Sequence, residues 1–188
     1  MRRLCKTIIQ DEAQAPPHAL GTCSAYLVEN NILNDLVSLC LPDEPLGILD
    51  EFLRMCTALV RHIHVPWFLA NEGVAHALLQ LLRSCNKKQQ KPPGLVELVY
   101  ALCARVHQQP DTLRVLLPLG AALPEGRPAD RFPLMTCIVG HITMDGPFGR
   151  HMRTSLVWFM HALLSLGTNL RAACPALYYL TASAWVLA

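Results

Sequence analysis

Eight cysteines and eight histidines give this chain the raw material for a metal site or a thiolate nucleophile. The cysteines stand at 5, 23, 40, 56, 85, 103, 137 and 174, with no CxxC pair among them. Zinc needs three or four converging ligands, which a sequence usually supplies as close pairs. One Cys/His pair at i,i+4 spacing is counted, Cys103 and His107, and His62 and His64 share a helix end. The pattern implies core cysteines beside surface histidines, so no metal ligand, no catalytic residue and no cofactor is expected. A small enzyme using a Cys/His pair stays open as an alternative, because such partners meet only in space. The motifs GxxxxGK[ST], HExxH and GxSxG are absent.

Two further features could hold an anion or a surface. Gly146-Pro147-Phe148-Gly149 precedes a helix bearing Arg150 and Arg153. It is read as an interhelical turn, with an anion on the helix N-terminus as the alternative. Lys87-Lys88-Gln89-Gln90-Lys91 is read as a solvated corner rather than an acidic-lipid contact. Trp67, Trp158 and Trp185 lie on or near apolar faces and are expected in the core. Net charge is +2 and aromatic residues are 6%, with no basic run interleaved with them. No nucleic-acid platform is therefore expected. Residues 172–188 are apolar but short of a membrane span and hold a proline. They are expected to be a buried helix, and no transmembrane segment is expected. Scattered cysteines without a secretory signal point to a reduced, cytoplasmic setting.

The elements that would position these residues are helices. From Glu29 to Ile63 the chain reads as one helix, a polar corner at Leu41-Pro42-Asp43-Glu44-Pro45, and a longer second helix. Proline lacks the amide donor and clashes with the preceding turn, so the corner breaks the helix, and Pro45 suits the first position of the next. Leu49, Leu53, Cys56, Val60 and Ile63 then recur every three or four residues, widened by Ile48, Phe52 and Leu59. That is one buried helical face.

Helical patterns are also expected over 3–14, with Leu4 and Ile8 inward, and over 18–29, with Leu20, Tyr26 and Leu27. Further ones follow over 31–41, over 73–85, from Leu95 to Val106, from Phe132 to Met144 and over 150–166. Residues 66–72 read as a connector, and Asp111 as the cap of a short helix. Residues 118–131 read as an exposed loop. No stretch alternates as a half-buried strand does.

The expected fold is all-α, an α-solenoid of irregular antiparallel helix pairs, armadillo- or HEAT-like. Residues 1–188 form one module. Charged residues are only 16% and the chain ends on apolar sequence, so it is expected to belong to a longer scaffold.

Three stretches resemble the Hook-interacting protein family, the scaffold of the complex of fused-toes protein, Hook and Hook-interacting protein. They are Tyr26 to Ile63, with its corner Asp43, Pro45 and Gly47; Leu95 to Leu117, with its break at Pro110; and His141 to Leu156, with Asp145, Gly146, Gly149, Arg153 and Thr154. Arg150 departs from the acidic residue that family often carries there. The resemblance implies a non-enzymatic adaptor linking endosomal or vesicular cargo to microtubule motors. Its implied partners are a Hook-type coiled-coil protein, the ubiquitin-conjugating-like fused-toes protein and a Rab GTPase, and its implied place is the cytoplasmic face of endosomes or vesicles. A generic armadillo- or HEAT-like interaction module with another partner is the alternative.

Overall fold

The structure is a computed structural model that describes residues 1–16, 18–88, 91–117 and 132–166. The expected loop at 118–131, the apolar run at 172–188 and Trp185 lie outside them. Among the described residues there are ten α-helices and no strand. They are α1 (Arg2–Gln14), α2 (Thr22–Glu29), α3 (Ile32–Cys40), α4 (Ile48–His62), α5 (Pro66–Ala70), α6 (Glu72–Lys87), α7 (Gly94–Gln108), α8 (Leu113–Leu116), α9 (Pro133–His141) and α10 (Gly146–Ser165). A 3-10 turn, Pro110–Thr112, precedes α8.

The helices touch in two rows. One row is α4, α7 and α10, with α1 against the outer side of α4. In the other, α3 packs on α6 and α6 on α9. Helix α7 is central: ten of its fifteen residues are buried, because α4 and α10 cover opposite flanks. A helix apolar on both flanks has no exposed stripe to orient it. Its direction is set instead by polar contacts at its two ends.

Those contacts show that α4 and α7 run the same way. Asp50, near the start of α4, accepts a 2.7 Å hydrogen bond from the Gly94 amide, the first residue of α7. Arg105, near the end of α7, donates from Nη2 to the Ile63 carbonyl just beyond α4, at 2.9 Å. Each bond satisfies a backbone group that a helix end leaves without an intrahelical partner. The α7–α10 pair keeps the same order, with Tyr100 against His151 and Trp158, and His107 against Trp158 and His161. Parallel neighbours in one row need a return helix between them, and α6 supplies it between α4 and α7.

The expected stripe of α4 holds: Leu49, Leu53, Cys56, Val60 and Ile63 are buried, as are Phe52 and Leu59. Between α2 and α3 the helix breaks at Asn30-Asn31. Asn31 takes φ 54°, and its own side chain receives a bond from Asn34.

Other boundaries are corrected. Pro45 follows a cis peptide and stays in the corner; α4 starts at Ile48 after Gly47 at φ 90°. Asp43 makes this possible, its Oδ1 accepting from the Gly47 and Leu49 amides at 3.0 Å each. Residues 18–21 precede α2, whose start is held from outside: Glu12 accepts from the Gly21 amide at 2.9 Å and Asp11 from Cys23 at 2.7 Å. The expected connector at 66–72 contains α5, opened by Pro66 at the first helical position. Asp111 caps nothing; it sits in the 3-10 turn and faces Arg114 at 3.4 Å. The expected turn at Gly146–Gly149 is the first turn of α10. Leu4 and Tyr26, expected inward, are exposed, and so is Trp67. Each lies on a face that no described helix covers.

Candidate interaction surface

The residues singled out for chemistry do not converge. Cys103 is fully buried between α7 and α10, and burial pushes its thiol up to about 12. His107, one turn on along the same flank, is stacked on Trp158 and edge-on to His161, the two histidine ring centroids 4.8 Å apart. Cys137 and His141 share the same spacing, so the count of one pair is corrected. Here the side chains do meet, Sγ to Nδ1 at 3.8 Å. The chemistry is nonetheless that of packing. His141 Nδ1 lies 2.7 Å from the Cys137 carbonyl, which can only accept, so that nitrogen carries the proton and cannot take one from the thiol.

Burial pushes the Cys137 thiol up, and all seven described cysteines move in that direction, desolvation being the largest cause in each. An activated thiolate requires the opposite. Among the described residues no three Cys, His, Asp or Glu side chains are grouped to hold a metal. No helix among them is long and apolar enough to cross a membrane.

One basic side chain from each of the two basic stretches holds a helix end. Arg153 donates to the Ile142 carbonyl at 3.0 Å, closing the end of α9. Gly149 is required there for a second reason: a Cβ on it would stand 1.6 Å from the Met144 carbonyl oxygen. Lys91 donates to the Cys85 carbonyl at 3.1 Å and to that of Asn86, so one lysine of the polar corner caps the end of α6.

What remains is surface shaped by the rows. A groove of about 850 Å³ runs along α3, α6 and α8. Its apolar lining includes Ala75, Leu79 and Val115, and Asn34, His76 and Arg114 border it. Asn34 fixes the start of α3 against α6, donating to the Gly73 carbonyl at 3.1 Å and meeting His76 Nδ1 at 3.1 Å. A second cleft, of about 630 Å³, opens where the C-terminal ends of α1 and α4 meet the residue after α7; His18, His62, His64 and Gln109 line it. Neither was legible beforehand, because both are made by residues far apart in sequence and brought together by stacking. Such a groove can seat an extended or helical partner.

Comparison with known families matches residues 23–170 to the model described as RAI16-like, retinoic acid induced 16-like protein. This corrects the resemblance to the Hook-interacting protein family. The stretches that carried it are helix ends and corners: Asp43 and Gly47 at the start of α4, Pro110 after α7, and Gly146 and Gly149 at the start of α10. Any stack of helical hairpins has reason to place such residues at its bends. The match spans well over half of the sequence, from α2 to beyond α10, and on that extent the chain belongs to the RAI16-like family.

Proposed function

We propose that this chain is a non-enzymatic scaffold whose groove along α3, α6 and α8 holds an amphipathic helix of a partner protein. One observation carries the reading: α6, the start of α3 and α8 enclose an open groove with Ala75, Leu79 and Val115 in its lining and a polar border, a surface that suits the apolar face of a helix. The upward-shifted thiols favour holding over chemistry. In its finer form the proposal is an adaptor at the cytoplasmic face of endosomes or vesicles, connecting cargo to microtubule motors. Its partners in that form are a Hook-type coiled coil, a fused-toes protein and a Rab GTPase. The coiled coil is the partner whose helical surface suits the groove.

The test is a pull-down with a Hook C-terminal coiled-coil fragment, repeated with His76→Glu and Arg114→Glu, both at exposed positions on the groove border. Retention by the wild type that falls at least about tenfold in Arg114→Glu supports the reading, a tenfold loss corresponding to about 1.4 kcal/mol. Retention no better than a scrambled control removes the Hook assignment. Retention that ignores both substitutions removes the groove.

A further inference from the structure

We infer that the joint between the end of α4 and α7 is an acid-sensitive latch made by His64 and Arg105. Arg105 is 5% exposed, yet among the described residues neither of its hydrogen-bond partners is a carboxylate. Its Nη2 donates to the Ile63 carbonyl, its Nη1 reaches His64 Nδ1 at 2.9 Å, and its Nε is buried with no hydrogen-bond partner. A guanidinium has only donors and keeps its charge throughout the physiological range. His64 Nδ1 must therefore be the acceptor, and in this arrangement the ring is neutral with its proton on Nε2.

Protonation of His64 and the Arg105 bond exclude each other. A proton on Nδ1 removes the one side-chain acceptor that the buried guanidinium has among the described residues, and sets two cations within hydrogen-bond distance. A histidine released from such a contact takes up a proton between about pH 5 and 8, so acidification favours the state in which the bond is broken. No free carboxylate in the cleft lining relieves it. Around the cleft stand Glu12 from α1, His18 from the segment before α2, and His62 from α4. Glu12 is the one carboxylate in that lining, and it already accepts from the Gly21 amide. Gln109, after α7, is uncharged, and α5 contributes Val65-Pro66 at its start, which do not titrate. Asp111 on the 3-10 turn is exposed and turned to Arg114.

Opening the latch frees the Ile63 carbonyl and loosens the end of α4 from α7. That alters the cleft between α1, α4 and α7 while the rest of the core stays packed. The inference is independent of the proposed partner groove, which lies on the other row.

The experiment compares thermal unfolding of the full chain at pH 7.5 and 5.5 for wild type, His64→Asn and His62→Asn. Asparagine at 64 keeps an oxygen near the Nδ1 position and cannot be protonated. Wild type and His62→Asn should lose about 5 °C more on acidification than His64→Asn, the size expected for one hydrogen bond to a charged group in a chain of this length. Equal losses in all three overturn the latch. Nitrogen NMR of the wild-type histidines gives a second readout that needs no variant. At pH 7.5 His64 should show the Nε2–H form with a hydrogen-bonded Nδ1; an Nδ1–H form, or a protonated ring at that pH, overturns it.

Discussion

Asp50→Ala removes two interactions whose sizes differ, and their separation tests whether α7 is positioned from α4. Oδ1 caps the first amide of α7 at 2.7 Å, and Oδ2 pairs with Arg54 at 3.0 Å within α4 itself. Losing a carboxylate cap at a helix start costs about 0.5–2 kcal/mol. The cap here is at the strong end of that range, because the acceptor is charged, the bond is short and the carboxylate side chain is 20% exposed. The Arg54 pair adds about 0.3–0.5 kcal/mol, as i,i+4 pairs with an exposed partner do. Together they give about 2 kcal/mol, or a melting temperature lower by about 4–8 °C. The assay is chemical and thermal unfolding of wild type, Asp50→Ala, Arg54→Ala and the double variant. Arg54→Ala should cost about 0.5 kcal/mol, and Asp50→Ala about four times as much. Asp50→Asn, which keeps an acceptor and loses the charge, should fall between them. If Asp50→Ala costs no more than Arg54→Ala, the cap contributes nothing across the helix pair and the reasoning fails.

Gly149→Ala should destabilise the chain by several degrees, because the new methyl would collide with the Met144 carbonyl. Gly140→Ala on α9, where no atom lies within 4 Å, should be neutral or raise the melting temperature slightly. Equal effects of the two in a melting assay would contradict the close approach. Alkaline pH should weaken the fold through its thiols. Cys103 is held neutral up to about 12, so unfolding releases its proton from about pH 9 upward. The stability it supplies is complete below about pH 9 and fades as pH climbs toward about 12, by about 1.4 kcal/mol per unit. Urea midpoints between pH 8.5 and 10.5 should fall less steeply in Cys103→Ala; an unchanged slope would contradict the burial.

The α4 face was legible because its apolar positions repeat every three or four residues, and α7 because it is apolar nearly throughout. Boundaries were misplaced where a side chain from another element holds the helix end. Asp43 and Gly47 push the start of α4 to Ile48, and Asp11 with Glu12 fix the start of α2 after Gly21. Local proline rules could not anticipate these contacts. Leu4, Tyr26 and Trp67 were assigned inward on pattern alone, and a pattern does not say which of two apolar faces finds a neighbour. The groove and the His64–Arg105 joint were invisible for a related reason. The groove draws on three helices, and the joint pairs Arg105 of α7 with Ile63 and His64 beyond α4, some forty residues away in sequence; Arg105 carries no signal beyond a charge on an apolar helix.

Native-state hydrogen exchange along α7 tests the stacking order most directly. With α4 and α10 covering its flanks and both ends held, α7 should open only when the whole domain does. Amides from Leu98 to Val106 should then exchange most slowly in the chain, at a rate set by global stability, with those of α1 opening well before them. If the α7 amides exchange as fast as those of α1, the row α4, α7 and α10 is not the spine of this molecule.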